Sequence, residues 1–317
     1  MDNLDDVHQI IQLTRKARSA VVVGGGITAL EMVEGLQTRG VLVHYFLRSD
    51  RYWSNVLDES ESNIIENRLK EDGVTIHYHT EVVEILGKNG RVAGVRTKDG
   101  RTIACEIVGV AVGVQPRLEL AREIGLKIER GILTDDSLRT SEPDIFAAGD
   151  VAQVYDPWIG ASVLDSLWGP AREQGRVAGS NMAGHSMIYR RTVPFNVTRL
   201  TCLTTTIIGS VGSKGLDDDL MGIARGDSET WRRLPEAIVV QSNFEVNRLR
   251  LLVGQQTLLG AVVMGDQTLS MPLQRMISQS ADISPLRDQI LASRAQLADL
   301  IIDFWNGWNY RYGAQQS

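Results

Sequence analysis

Cysteine is scarce in this sequence. Cys105 and Cys202 are the only two among 317 residues, they stand far apart, and no Cys-x-x-Cys occurs. A disulfide framework, a zinc centre and a dithiol redox pair therefore lack support within the chain. Both cysteines lie in apolar, strand-like contexts and are expected to be buried free thiols. Long apolar runs are missing too, since none reaches the ~18 residues a membrane-crossing helix needs. The net charge is −6 with acids and bases interspersed, so no bulk basic surface points to nucleic acid or to a membrane. Met1 to Asp6 is polar and acidic, unlike a signal peptide, and a cytoplasmic location is the expectation. His77 and His79 are expected on one strand face, and with no nearby Cys or third His they complete no metal set.

What is present is ordinary globular material, 43% hydrophobic and 23% charged, in a length that suits two or three units. One stretch stands out. Val21, Val22 and Val23 form a short buried strand that breaks at Gly24, Gly25 and Gly26. Ile27, Leu30, Met32, Val33 and Leu36 then recur at helical spacing until Gly40. A second apolar strand follows from Val41 to Leu47. Gly24, Gly26 and Ala29 fit G-x-G-x-x-G/A between strand and helix. The first makes the tight turn, the second lets a pyrophosphate approach the backbone, and the third lets helix and strand pack closely. The helix start adds free N–H groups and a positive dipole end.

The rest of the chain supports this unit. Leu4 to Ala17 reads as an amphipathic helix with Leu4, Val7, Ile10, Ile11 and Leu13 on one face, leading into the first strand. Ser54 to Asp72 reads as a helix stopped at Gly73, and Val74 to His79 as a strand. Asn89-Gly90 and Asp99-Gly100 are hairpin turns in a three-stranded meander of Glu81 to Leu86, Arg91 to Thr97 and Arg101 to Val112. Gly113 to Pro116 marks a crossover that leaves the sheet, before a short helix from Leu118 to Ile124. Ile145 to Ala148 reads as a short buried strand that delivers Gly149 and Asp150 at its carboxyl edge, where open α/β sheets bind ligands. Trp158 and Trp168 lie near in sequence, and Pro170 starts a helix carrying Ala171, Gln174, Val177, Ala178 and Met182.

From about Ile188 strands dominate: Thr204 to Val211, Leu220 to Ala224, Ala237 to Gln241, and a hairpin of Arg248 to Val253 with Leu258 to Met264. Helices from Met271 to Gln279, Pro285 to Ser293 and Leu297 to Trp308 close the chain. Phe304, Trp305, Trp308, Tyr310 and Tyr312 read as packing aromatics. The expected class is α/β: a Rossmann-like three-layer dinucleotide domain with a β-meander, and a C-terminal α+β domain.

Three ordered motifs, Gly24 to Glu31, Gly113 to Pro116 and Thr140 to Asp150, resemble the flavin-dependent pyridine nucleotide oxidoreductases. That family holds glutathione reductase, ferredoxin reductases, rubredoxin reductase and the flavin portion of nitrite reductase. The resemblance implies a lead-in helix over 1–17, an NAD(P) domain over 18–135, the return segment of an FAD domain over 136–185, and an interface-like domain over 186–317. It implies hydride transfer from NAD(P)H to FAD, with electrons passed to a ferredoxin-like protein or a small oxidant. Gly24, Gly25, Gly26, Ile27, Thr28, Ala29 and Gly113 would then serve the nucleotide. Glu31 matches the family's catalytic glutamate near the nicotinamide and flavin rings, and Gly149 and Asp150 match the FAD ribitol and phosphate site. Trp168, Ala171 and Gln174 match the segment beside the isoalloxazine ring.

The family's first glycine-rich loop, which holds the ADP part of FAD, has no counterpart here, since no second G-x-G-x-x-G occurs. The FAD site is expected to be incomplete, and the chain is expected to be a fragment, a mis-started reading frame or half of a split enzyme. A homodimer, or a partner chain supplying the FAD half, would follow. A non-catalytic NAD(P)-binding subunit or sensor is the alternative. Cofactor choice turns on the end of the second strand, where an acidic residue would bond the ribose 2′-hydroxyl of NAD. Leu47 stands there, followed by Arg48, Ser49, Asp50 and Arg51. Arg48 and Arg51 suit a 2′-phosphate, so the reading leans to NADPH.

Overall fold

The structure is a computed structural model describing residues 3–157, 160–212, 220–226, 246–292 and 297–316, with side chains not described over 311–316. The expected strand at Ala237 to Gln241, Trp158 and the Tyr312 side chain lie outside the described residues. The chain divides into two compact units, Met1–Gly113 with Val197–Ser317, and Val114–Asn196. No helix among the described residues is long and apolar enough to cross a membrane.

The first unit opens with α1 (Leu4–Thr14), whose N-cap Asn3 accepts from the Asp6 amide at 2.9 Å. Its apolar stripe is only half used: Leu4 and Leu13 are exposed, while Val7, Ile10 and Ile11 are half-buried. Then come β1 (Ser19–Val23), α2 (Ile27–Gln37), β2 (Leu42–Phe46), α3 (Glu59–Glu71) and β3 (Thr75–His77). The meander is β4 (Val82–Lys88), β5 (Arg91–Thr97) and β6 (Thr102–Ile103), and β7 (Ile107–Val110) follows. The parallel sheet runs β3-β2-β1-β7, the order of one mononucleotide-binding half. Ala29, Leu30, Val33 and Leu36 of α2 bury their apolar face on this sheet with Val22, Val43 and Tyr45. Each buried Leu or Val among them contributes roughly 1.5–3 kcal/mol by leaving water. On the sheet's other face Val21 and Phe46 meet Val95 and Cys105 from the meander.

Three expectations for this region are corrected. Arg101 to Val112 is two strands: β6 closes the meander, and β7 joins β1 in the parallel sheet. At the switch point the Glu106 carboxylate accepts from the Ser19 amide and Glu106 N donates to Ser19 O. α3 starts at Glu59, not Ser54, because a capping box of Asp58 and Glu61 sets its first turn. His77 ends β3, whereas His79 has φ +50 and lies off the strand, so the two do not share a strand face.

The second unit holds α4 (Glu119–Glu123), β8 (Ile132–Leu133), a 3₁₀ turn at Gly149–Val151, β9 (Ala152–Asp156), β10 (Ala161–Leu164) and α5 (Trp168–Met182). β8 pairs parallel with β9, and β10 antiparallel with β9. Leu138, Ala147, Ala152, Val154, Val177 and Ala178 form its core. Ile145 to Ala148 is not a strand. Its ladder is reduced to one bridge, Arg139 to Phe146, because no second described strand lies along it. Met182 of α5 is exposed, contrary to its place in the expected apolar row.

The C-terminal part of the first unit is a five-stranded sheet, β11-β12-β15-β14-β13. It comprises β11 (Phe195–Leu200), β12 (Leu203–Gly209), β13 (Leu220–Gly226), β14 (Arg248–Gly254) and β15 (Leu258–Met264). β11 was not read from the sequence. α6 (Ser270–Ser278), α7 (Arg287–Ala292) and α8 (Leu297–Gln316) complete the α+β expectation. Thr201 and Cys202, both at positive φ, form the β11–β12 turn, and Cys202 is exposed there rather than buried. Cys105 is buried as expected, and burial pushes its thiol up.

Candidate functional site

The glycine turn after β1 is built by close approach. Gly24 has φ +145, and a Cβ there would lie 2.1 Å from the carbonyl oxygen of Ala111, just past β7. A side chain is excluded on both counts. Its N–H donates to Phe46 O at 3.2 Å, so the turn is held between the ends of β2 and β7. The same built Cβ would stand 3.0 Å from the Ala29 side chain, which explains a small residue at that position. Gly26 is different. It has an ordinary extended conformation and nothing of the protein within 4 Å of a built Cβ. The protein's own packing does not require glycine at Gly26, whereas a ligand lying against the backbone would.

Gly26 is the N-cap of α2. No side chain caps that end, and no acidic residue sits in the first turn. Leu30 N closes the first helical bond on Gly26 O at 3.2 Å. Unclaimed amides, a positive dipole end and open space beside the backbone together fit an anionic pyrophosphate. Ile27 is half-buried and packs against the core, while Gly25 and Thr28 are exposed at the turn. Gly113 has φ +113 and open space around it, at the exit of β7. Glu31 is exposed on α2 and accepts no hydrogen bond among the described residues. One turn on, Glu34 is pushed above the carboxylate range, chiefly by burial, against the Cys202 amide that donates to it.

The turn after β2 decides what lies beside the glycines. Leu47 is buried in the core, with its Cδ2 4.0 Å from a Cβ built on Gly25. It is in no position to act as a polar partner. Arg48 is exposed and has no partner among the described residues. Arg51 is already engaged: its guanidinium donates to Asp50 at 2.9 Å and to Ser54 O at 3.3 Å. The two arginines expected to act together are thus unequal, and only Arg48 is free. His79 N donates to Ser49 O, which ties this turn to a cavity of about 270 Å³ lined by His79, Thr80, Glu81, Lys98 and Asp99.

In the second unit Gly149 has φ +77, and its N–H donates to Gln174 Oε1 at 2.7 Å. Gln174 is fully buried and also reaches the Tyr189 hydroxyl at 3.4 Å. It is an anchor of the Gly149 turn. Asp150 is exposed, with no partner among the described residues. A free carboxylate held next to a positive-φ glycine fits a polyhydroxyl chain. Trp168 starts α5 with 76% of its surface exposed, and Arg172 stacks over its ring at 5.2 Å. Elsewhere in this unit, Arg191 bridges the buried carboxylates of Asp156 and Asp165. Neither Gln174's anchoring role nor this triad was read from the sequence; a buried glutamine facing a glycine carries no periodic signal. No group of three or more His, Cys, Asp or Glu able to hold a metal ion occurs among the described residues.

The profile of the family described as pyridine nucleotide-disulphide oxidoreductase matches residues 1–166. Nitrite reductase [NAD(P)H] of Bacillus subtilis is 28% identical over 283 residues, which is 89% of this chain and 32% of that protein. Rubredoxin-NAD(+) reductase of Ectopseudomonas oleovorans is 27% identical over 184 residues, 58% of this chain and 48% of that one. The chain thus spans between about a third and a half of the curated relatives it matches here. Among solved structures, a NAD-dependent persulfide reductase from A. fulgidus superposes with a TM-score of 0.79 at 25% identity, covering 98% of this chain and 59% of that one.

Proposed function

The chain belongs to the pyridine nucleotide-disulphide oxidoreductase family, and from that premise we propose that it is the nucleotide-binding portion of an NAD(P)H-dependent flavoprotein oxidoreductase. The observation that carries this reading is the contrast within the glycine turn. Gly24 is glycine because Ala111 O leaves no room, and Gly26 is glycine where the protein itself leaves the room open. FAD, when bound, supplies the chemistry of taking a hydride from NAD(P)H and releasing electrons to an acceptor. This chain's residues bind and orient. The α2 amides from Gly26 onward hold the pyrophosphate. Gly149 and Asp150 present a carboxylate for the flavin's ribityl hydroxyls. Glu31, exposed on α2, is the catalytic candidate at the nicotinamide side, and Trp168 offers a ring face beside the flavin. The domain division at 18–135, 136–185 and 186–317 is part of the same reading.

The nucleotide is NADPH. Leu47 removes the acid that would bond a 2′-hydroxyl, and the exposed Arg48 guanidinium is free to donate bidentately to a 2′-phosphate. Arg51 supports the turn through Ser54 O instead. A small electron carrier of ferredoxin or rubredoxin type, or a small oxidant, is the acceptor. The test is calorimetric titration of the full chain with NADPH and NADH, on the wild type and on Arg48→Glu. NADPH affinity is expected to fall about tenfold or more in the variant, the value of a lost charge-assisted pair, while NADH binding stays as it was. An unchanged NADPH-to-NADH ratio sinks the Arg48 assignment, and a wild type that binds neither nucleotide sinks the functional reading.

A further inference from the structure

The turn that reads the nucleotide's 2′ position is not held by its own domain alone. Three arginines from the C-terminal sheet reach across to the segment between β2 and α3. Arg250 of β14 is buried, with two of its guanidinium nitrogens bonded there and the third to the chain just past β12. Its Nε donates to Glu61 Oε1 at 2.9 Å, one Nη donates to Val56 O at 2.6 Å, and the other donates to Val211 O at 3.1 Å. Glu61 is fully buried and in turn accepts from the Asp58 amide at 2.9 Å. Arg225 and Arg248 donate to the second oxygen of Asp58 at 2.8 and 3.5 Å. The two carboxylates of the α3 capping box are therefore also gripped from the other sheet. Packing repeats the point: a Cβ on Gly212 would lie 2.7 Å from Asn55 O, so only glycine lets the chain just past β12 come this close to the loop.

We propose that Arg250 is a positioning residue for nucleotide selectivity: by clamping Val56 O and Glu61 it fixes the β2–α3 segment that carries Arg48 and Arg51, so the C-terminal sheet sets how sharply a 2′-phosphate is distinguished from a hydroxyl. The inference rests on the NADPH reading above. Bidentate recognition depends on the angle between guanidinium and phosphate, and a shift of an ångström in the loop degrades it. Binding of the pyrophosphate at Gly26 involves none of these groups. Loosening the clamp is therefore expected to cost discrimination more than binding.

The experiment measures dissociation constants of NADPH and NADH on the full chain for wild type, Arg250→Met and Arg250→Lys, beside the thermal midpoint of each. Because Arg250→Met takes from the buried Glu61 carboxylate its 2.9 Å cationic partner and leaves it the more distant Arg248 at 3.9 Å, a third variant, Glu61→Gln with Arg250→Met, removes that charge. Ile290→Ala, which removes a fully buried side chain of α7, serves as the control for simple loss of stability. The ratio of the two constants is expected to move about fivefold or more toward one in every Arg250 variant. Arg250→Lys fails to rescue because a single ammonium cannot span Glu61 and two carbonyls, and Ile290→Ala keeps the wild-type ratio. A folded Glu61→Gln, Arg250→Met protein with the wild-type ratio overturns the inference, as does a wild type that binds both nucleotides equally. A wild type that binds neither brings down the functional reading itself, which is a separate outcome.

Discussion

Two glycine turns in this molecule carry matching sequence signs and are built in opposite ways. Gly24 and Gly149 each have positive φ, and each stands at or near the start of a helical segment. Around Gly24 the backbone of neighbouring strands closes in until only hydrogen fits, while the amides beyond it remain free. Around Gly149 there is more room, with the Ala171 side chain 3.6 Å from a built Cβ, but its amide is already taken by Gln174. The first turn is rigid in backbone and open in hydrogen bonding, which is how an anion site avoids reorganising when its ligand arrives. The second is satisfied internally and offers a side chain, Asp150, instead of its backbone. A glycine in a motif can thus mark a bond left free for a ligand or a bond already used.

The strongest way to break this contrast is at the first turn. Gly24→Ala puts a methyl into the Ala111 carbonyl at an unfavourable φ. A loss of about 3–5 kcal/mol in urea unfolding, or failure to fold, is expected. Gly26→Ala meets nothing. It is expected to unfold within about 1 kcal/mol of wild type, the range for a changed N-cap, and yet to bind NADPH at least ~10-fold more weakly. If Gly26→Ala bound NADPH as tightly as wild type, the open space beside α2 would not be the pyrophosphate site.

At the second turn the expected order is reversed. Gln174→Met fills the same volume but leaves the half-buried Gly149 amide without its acceptor, which costs about 1 kcal/mol of stability. NADPH affinity is expected to be unaffected. A variant whose thermal midpoint matched wild type would show that the glutamine does not anchor the turn.

The same contrast explains what could be read from the sequence. The β1–α2–β2 unit was legible because Val21 to Val23, the glycines and Ile27 to Leu36 each point to their element by local chemistry. Asn89-Gly90 likewise forms its turn with both residues at positive φ. Arg101 to Val112 misled because its residues are uniformly strand-like, and the switch of partner at Ala104 to Glu106 is decided by which sheet lies alongside. Ile145 to Ala148 misled for the related reason that strand propensity needs a ladder to become a strand. Cys202 was placed in a strand because a two-residue turn of Thr and Cys lacks the usual Asn-Gly signature. Arg250 was invisible: its three acceptors lie 39, 189 and 194 residues away in the chain. The backbone half of the candidate site was legible, and the side-chain supports were not.

The smallest expected effect tests whether acid loosens the first region through its sheet. His44 Nδ1 and His77 Nε2 lie 3.1 Å apart on adjacent strands β2 and β3, half-buried, with Phe46 edge-on to His77. Burial holds both imidazoles below their ordinary value of 6.5, and the charges of His44 and Arg101 lower His77 further. The unfolded chain therefore binds protons that the folded pair refuses. The pair's contribution is complete above pH 6.5 and declines as the pH falls below it toward the folded values. Glu61 and Glu34 act in the opposite sense, because burial raises their carboxyls above the ordinary value and the folded state takes up protons more readily. A raw stability profile sums both slopes. The difference between wild type and His44→Gln with His77→Gln isolates the histidines: the wild type is expected to lose thermal midpoint on acidification below 6.5 more steeply than the variant. Parallel profiles would mean that the pair carries no acid sensitivity.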